Sequence, residues 1–149
     1  DILMQHTDST APMTVAEEKG IYAFGQASNM REWGQNAQLT AIIDDWGPYY
    51  LERVQAVKDG TWTSTDVFHG VDSGMVKFAP MNNSMPFEVR NEASSAIIDL
   101  AMGKIHPFTG PINKQDGSPW LAEGETPPNY PDLLTMDFYV EGIESKYPN

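Results

Sequence analysis

Asp1-Ile2-Leu3-Met4-Gln5-His6-Thr7-Asp8-Ser9-Thr10-Ala11-Pro12-Met13-Thr14-Val15-Ala16-Glu17-Glu18-Lys19-Gly20-Ile21-Tyr22-Ala23-Phe24-Gly25 decides how this chain folds. Its first six residues read as a strand, and His6 to Thr10 as a polar turn. Ala11 to Gly20 reads as a helix: Thr10 is the candidate N-cap, Pro12 suits the first turn and Gly20 the C′ position. Ile21 to Gly25 is a second short apolar strand. A strand, a helix and a strand within 25 residues predict a parallel α/β sheet. A natural domain seldom opens inside a buried strand, so further sequence is expected upstream.

Beyond Gly25 the alternation continues. Gln26 to Gln38 is a polar loop, and Leu39-Thr40-Ala41-Ile42-Ile43 a third strand broken by Asp44-Asp45-Trp46-Gly47-Pro48. Gly47-Pro48 suggests a fixed turn or a chain crossing. Tyr49 to Asp59 places Tyr50, Leu51, Val54 and Val57 at helical spacing, with Gly60 as the stop. Gly74 to Pro80 is a further strand candidate. Pro86 to Met102 reads as the longest helix, with Phe87, Ala93, Ala96, Ile97, Leu100 and Ala101 as its apolar face. Asp116-Gly117 between Ile105-His106-Pro107-Phe108 and Pro119-Trp120-Leu121 signals a hairpin. The tail, with Pro127-Pro128 and Pro131, is expected to be ordered where Leu133, Leu134, Met136, Phe138 and Tyr139 pack.

Composition removes several function classes. The 149 residues carry 9 Lys plus Arg against 21 Asp plus Glu, a net charge of −12. Nucleic acid and anionic membrane surfaces are disfavoured as partners, since both need cations to displace counterions. No apolar run approaches the roughly 20 residues of a membrane span. Zero Cys removes disulfides, thiolate metal sites and a Cys nucleophile. Hydrophobic residues at 40% are enough for a packed core.

Three polar clusters fall where strands end, and open parallel sheets bind ligands there, near helix N-termini. The first is His6-Thr7-Asp8-Ser9-Thr10. Read as a lining turn it contacts a ligand; read plainly it caps a helix. Ser, His and Asp in one turn are a poor hydrolase signal, because triads are assembled by the fold and no Gly-x-Ser-x-Gly elbow occurs. The second is Asp44-Asp45-Trp46-Gly47-Pro48-Tyr49-Tyr50. Its carboxylates suit acid–base work, a metal or a helix cap, and Trp46 suits stacking on a flat ring or core packing. The third is Gly25-Gln26-Ala27-Ser28-Asn29. The three His residues have no metal-ligand spacing; His6, Asp8 and Asp44 are the one conceivable metal set. Asn82-Asn83-Ser84 has the form of a glycosylation sequon.

Gln5-His6-Thr7-Asp8-Ser9-Thr10, Asp45-Trp46-Gly47-Pro48-Tyr49-Tyr50, Asp59-Gly60-Thr61-Trp62, Gly74-Met75-Val76 and His106-Pro107-Phe108-Thr109-Gly110-Pro111-Ile112 with Gln115-Asp116-Gly117 occur in order. Together they resemble the basic membrane protein (BMP) family of ABC-transporter substrate-binding proteins, as far as the Met136-Asp137-Phe138-Tyr139-Val140-Glu141-Gly142 tail. The resemblance implies a type I periplasmic-binding-protein-like fold, a three-layer α/β architecture with a parallel sheet, of which this chain is the C-terminal portion of a two-lobed protein. Residues 1–44 would belong to the second lobe, 45–72 to a first-lobe helix and hinge, and 73–149 to a strand, a long helix and a C-terminal hairpin extension. It further implies a periplasmic protein or membrane-anchored extracytoplasmic lipoprotein delivering a purine to an ABC permease, with no cofactor and no catalysis. Association with the missing N-terminal half or with a second copy is also expected.

The site carries over residue by residue. Nucleoside-binding members have an Asp-Ser-Asp pattern at the strand end where Ala27-Ser28-Asn29 stands here. A Lys ends their hinge strand where Asp44 stands, and a Gly-rich turn occupies the place of His6 to Thr10. Three ribose-directed features differ, which favours a free base such as adenine over a nucleoside. The expected ligand-binding residues are His6, Thr7, Asp8, Ser9, Asn29, Asp44 and Trp46. Asp44 or Asp8 would accept from an exocyclic amine, Asn29 and His6 would offer donors or acceptors, and Trp46 would stack. The competing readings are a nucleoside hydrolase-type enzyme and a ligand-sensing regulatory domain on the same fold.

Overall fold

A computed structural model describes residues 1–127 and 133–148. Pro128 and Pro131 lie outside the described residues. The contacts divide the chain into two compact units, Asp1–Ala101 and Met102–Asn149.

The first unit opens with β1 (Ile2–Leu3), α1 (Ala11–Lys19) and β2 (Tyr22–Gly25), the strand–helix–strand unit that the opening sequence predicts. β3 (Gln38–Asp44) follows a loop over residues 26–37, then come α2 (Gly47–Lys58), β4 (Val76–Phe78) and α3 (Phe87–Ala101). The sheet order is β1-β2-β3-β4. β1, β2 and β3 are parallel, so their carboxyl ends share one edge. β4 runs antiparallel to β3, pairing Ile42 with Phe78 and Asp44 with Val76, which makes the sheet mixed at that edge.

Several boundaries differ from the sequence expectation. β1 is two residues long rather than six. Thr10 sits at the N-cap of α1 but its hydroxyl caps nothing; the Ser9 Oγ accepts the Ala11 N–H instead, at 3.2 Å. Gly20 does end α1, with φ 63° and its N–H on the Ala16 and Glu17 carbonyls. Gly47-Pro48 is the first turn of α2 rather than a separate turn, because Pro lacks the N–H that this position leaves unpaired anyway.

α1 covers one face of the sheet. Met13 and Ala16 meet Ala23, Met30 and Ala37, with Leu3 and Ile21 against them. Gly25 is required inside this packing: a Cβ there would lie 2.6 Å from the Ala41 Cβ and 2.9 Å from the Gln38 Oε1. α2 and α3 have the apolar stripes the spacing predicts, yet neither buries a residue. Leu51 is 74% exposed and Phe87 63%.

Asn82 ties the segment after β4 to the start of β3. Its Nδ2 donates to the carbonyls of Asn36 (3.0 Å) and Gln38 (2.9 Å), and its Oδ1 accepts the Ser84 N–H at 2.9 Å. The sequon asparagine thus has a structural task.

The second unit contains the hairpin, β5 (Ile112–Asn113) against β6 (Pro119–Leu121). Asp116-Gly117 is its turn, as predicted, with the Lys114 N–H on the Ser118 carbonyl at 2.8 Å. The first strand is not Ile105–Phe108, however. There the chain turns, the His106 Nδ1 accepting the Phe108 N–H at 3.1 Å around Pro107, which has no N–H for a ladder. Phe138 packs edge-on to Trp120 at 5.3 Å and under the Lys114 ammonium at 4.6 Å. Leu134 does not pack as expected and is 64% exposed.

Candidate functional site at the strand ends

Parallel pairing places the turns after β1, β2 and β3 at one edge of the sheet. A direct bond links two of them: the Asp44 N–H, at the end of β3, donates to the Ala27 carbonyl at 3.0 Å. Ala27 holds a left-handed φ of 58°, rare for a residue with a Cβ and costly enough that the surroundings must enforce it. The turn after β2 is therefore pinned rather than loose.

Thr7, Asp8 and Ser9 line a crevice of about 230 Å³ whose other wall is Gln26, Ala27, Ser28 and Met30. The first and third clusters of strand-end residues meet there. His6 lies elsewhere, on the rim of an apolar trough of about 600 Å³ floored by Met4, Phe24, Ile42 and Phe78 on the sheet. Gln26 lines both hollows. All of His6, Thr7, Asp8 and Ser9 are exposed.

Asn29 does not line the crevice. Its Oδ1 accepts from the Gln38 Nε2 at 2.8 Å and from the Arg31 N–H at 3.2 Å. Gln38 is the single buried polar residue among those described, 4% exposed, and its Oε1 accepts the Met30 N–H at 2.8 Å. The sequence predicts Gln38 as the end of a polar loop; it opens β3 instead, and only the return of the loop gives it a role. Gln26 and Ser28, in the Gly25–Asn29 segment, line the crevice although the sequence does not single them out.

At the end of β3, the two adjacent carboxylates have separate surroundings. Asp45 caps α2, its Oδ1 accepting the Gly47 N–H at 3.1 Å, and its Oδ2 holds the Lys77 ammonium. The Lys77 hydrogen bond, then that of Gly47, hold its carboxyl below the ordinary value. Asp44 is exposed beside it. Trp46 is 48% exposed and stacks on Tyr50 at 5.9 Å and 25° between planes, with Tyr49 edge-on at 6.1 Å. One aromatic platform thus follows the strand end, held by its own helix.

Among the described residues no three His, Asp or Glu side chains gather as a metal would need, His6, Asp8 and Asp44 included. No helix among the described residues is long and apolar enough to cross a membrane.

Two sequence relatives and two solved structures of similar fold are found among known proteins. A Brucella abortus purine-binding protein is 50% identical over 148 residues, 99% of this chain and 42% of its own length. A Haloferax volcanii protein, provisionally named an ABC transporter glucose-binding protein, is 20% identical over the whole chain and 35% of its own length. The chain thus spans well under half of the curated relatives it matches. In three dimensions it is similar to a transcriptional activator of the comK gene from Bacillus halodurans, with TM-score 0.64 and 18% identity over 72% of this chain and 38% of that one. It is also similar to an ABC transporter solute-binding protein from Conexibacter woesei, with TM-score 0.51 and 14% identity over 70% and 36% of the two chains. No protein-family model matches. The α/β fold with its parallel sheet is thus shared with a solute-binding protein.

Proposed function

We propose that this chain is the C-terminal portion of a two-lobed BMP-family receptor, capturing a purine base in an interlobe cleft for an ABC permease. The observation that carries it is the 50% identity to a purine-binding protein along 99% of the chain. The fold alone does not decide, since a transcriptional activator shares it. The strand-end geometry supports the same reading, because crevice and aromatic platform follow carboxyl ends of parallel strands, where α/β folds take ligands.

In this reading residues 1–44 contribute to the second lobe, 45–72 to a first-lobe helix and hinge, and 73–149 to the strand, long helix and hairpin extension. The exposed apolar stripes of α2 and α3 support further polypeptide packing there. Thr7, Asp8 and Ser9 form one wall with Gln26 and Ser28, and Trp46 stacks on the base. Asp44 accepts from an exocyclic amine, which favours adenine. His6 and Asn29 add polar contacts at the rim. The receptor works outside the cytoplasm, in the periplasm or anchored as a lipoprotein, and performs no covalent chemistry. Lobe closure is driven by the ligand's greater affinity for the closed form.

Calorimetry on the full-length protein with adenine, adenosine, guanosine and ribose tests this. Adenine is expected to release heat and ribose none. Silence with all four rejects the purine reading. Trp46→Ala and Asp44→Ala are each expected to weaken adenine binding about tenfold or more, on the order of a lost stacking or charged hydrogen-bond contact. Unchanged affinity in both rejects the site.

A further inference from the structure

Two backbone N–H groups determine which way two side-chain amides point. The Met30 N–H can only donate, so the Gln38 atom 2.8 Å away is its oxygen, Oε1. Gln38 is buried, and with its Oε1 engaged by Met30 its Nε2 meets Asn29 at 2.8 Å. A donor there demands the Asn29 oxygen. The Arg31 N–H, 3.2 Å from the same atom, demands it independently. Both neighbours of Asn29 are donors, so its Oδ1 is turned to the protein. Its Nδ2 makes no hydrogen bond to any described residue, and Asn29 is exposed between Ser28 and Met30 of the crevice wall.

We infer that Gln38 is a positioning residue that fixes Asn29 as a hydrogen-bond donor, so that the site reads an acceptor on its ligand, an unprotonated ring nitrogen or a carbonyl oxygen. This rests on the purine-receptor reading and deepens it. An unconstrained Asn is ambidextrous and discriminates little, because it flips to suit either partner. An Asn locked by two donors is selective, since a ligand offering another donor leaves both groups unpaired in a closed cleft. Gly25 belongs to the same device: a Cβ there would lie 2.9 Å from the Gln38 Oε1 and displace it. Asn29→Asp is the informative substitution. A carboxylate still accepts from Gln38 and Arg31 but presents an oxygen outward, reversing the polarity without disturbing the anchor.

The full-length protein and its Asn29→Asp and Gln38→Glu variants are titrated with adenine, hypoxanthine and the 1-, 3- and 7-deaza analogues of adenine, each of which lacks one ring acceptor. Asn29→Asp is expected to lose about tenfold or more toward adenine, and that loss is expected to vanish for the one analogue missing the acceptor that Asn29 addresses. Gln38→Glu, which replaces the donor facing the Asn29 oxygen with an acceptor while the Arg31 N–H still holds that oxygen, unsettles the amide and is expected to lose affinity for the same base with the same analogue dependence. Affinities within about twofold in Asn29→Asp, or tighter adenine binding, overturn the inference. If Gln38→Glu does not fold, Asn29→Asp decides alone. If the wild-type protein binds none of these bases, the purine reading falls, and the polarity is read by side-chain amide exchange in nitrogen-15 spectra. Slow Gln38 and fast Asn29 amide protons support the locked orientation, and a protected Asn29 amide overturns it.

Discussion

Gly25, Ala27 and Gln38 show how single residues shape the strand-end region. Gly25 leaves space where any Cβ would press on Ala41 and Gln38. Ala27 accepts a left-handed backbone so that its carbonyl can meet the Asp44 N–H. Gln38 fills the space Gly25 leaves and bonds the returning loop. Gly25→Ala is therefore expected to cost about 1–3 kcal/mol by overpacking, with its φ blameless. Chemical denaturation measures it, and a loss under about 0.5 kcal/mol, the size of an ordinary surface change, contradicts the packing described. In the sequence these positions look interchangeable with any strand glycine, alanine or loop glutamine. Their roles come from the loop over residues 26–37 doubling back, which no local preference encodes.

Among the elements, α2 is the one whose start carries chemistry. Asp45 supplies its cap, bonds Lys77 across to β4 and donates its own N–H to the Met75 carbonyl at 2.7 Å. A carboxyl with a depressed value contributes stability that is present above its unfolded value and lost as pH falls through the folded one. Carbon-13 titration of Asp45 is expected to give a midpoint below the ordinary 3.8. Lys77→Met is expected to raise it, since the Lys77 bond is the largest cause, and to flatten the acid limb of the stability curve from that value downward. A midpoint unmoved by Lys77→Met contradicts the pairing. The contribution itself is small, because the pair is exposed and screened. In the sequence the Asp44-Asp45 pair is open to acid–base work, a metal or a helix cap. The structure separates them, as successive residues leaving a strand face opposite ways.

At the level of the whole molecule, the exposed stripes of α2 and α3 carry the remaining prediction. On an open surface, Leu51→Asp costs within about 0.5 kcal/mol. If the proposed two-lobed protein covers α2, the same change buries a charge and is expected to cost about 2 kcal/mol or more in the full-length protein, read from its denaturation midpoint. A negligible cost there rejects that packing. The sequence by itself determined the strand–helix–strand opening, the Gly20 stop and the Asp116-Gly117 hairpin turn. Each is encoded within a few residues, by periodicity and by backbone freedom. Only the tertiary structure decided that β4 runs antiparallel and that His6 parts from Thr7, Asp8 and Ser9. It also turned the Asn29 oxygen toward Gln38. Those outcomes depend on where the chain returns, β4 onto β3 and the loop over residues 26–37 onto the start of β3, which sets which donor meets which acceptor once the sheet has formed.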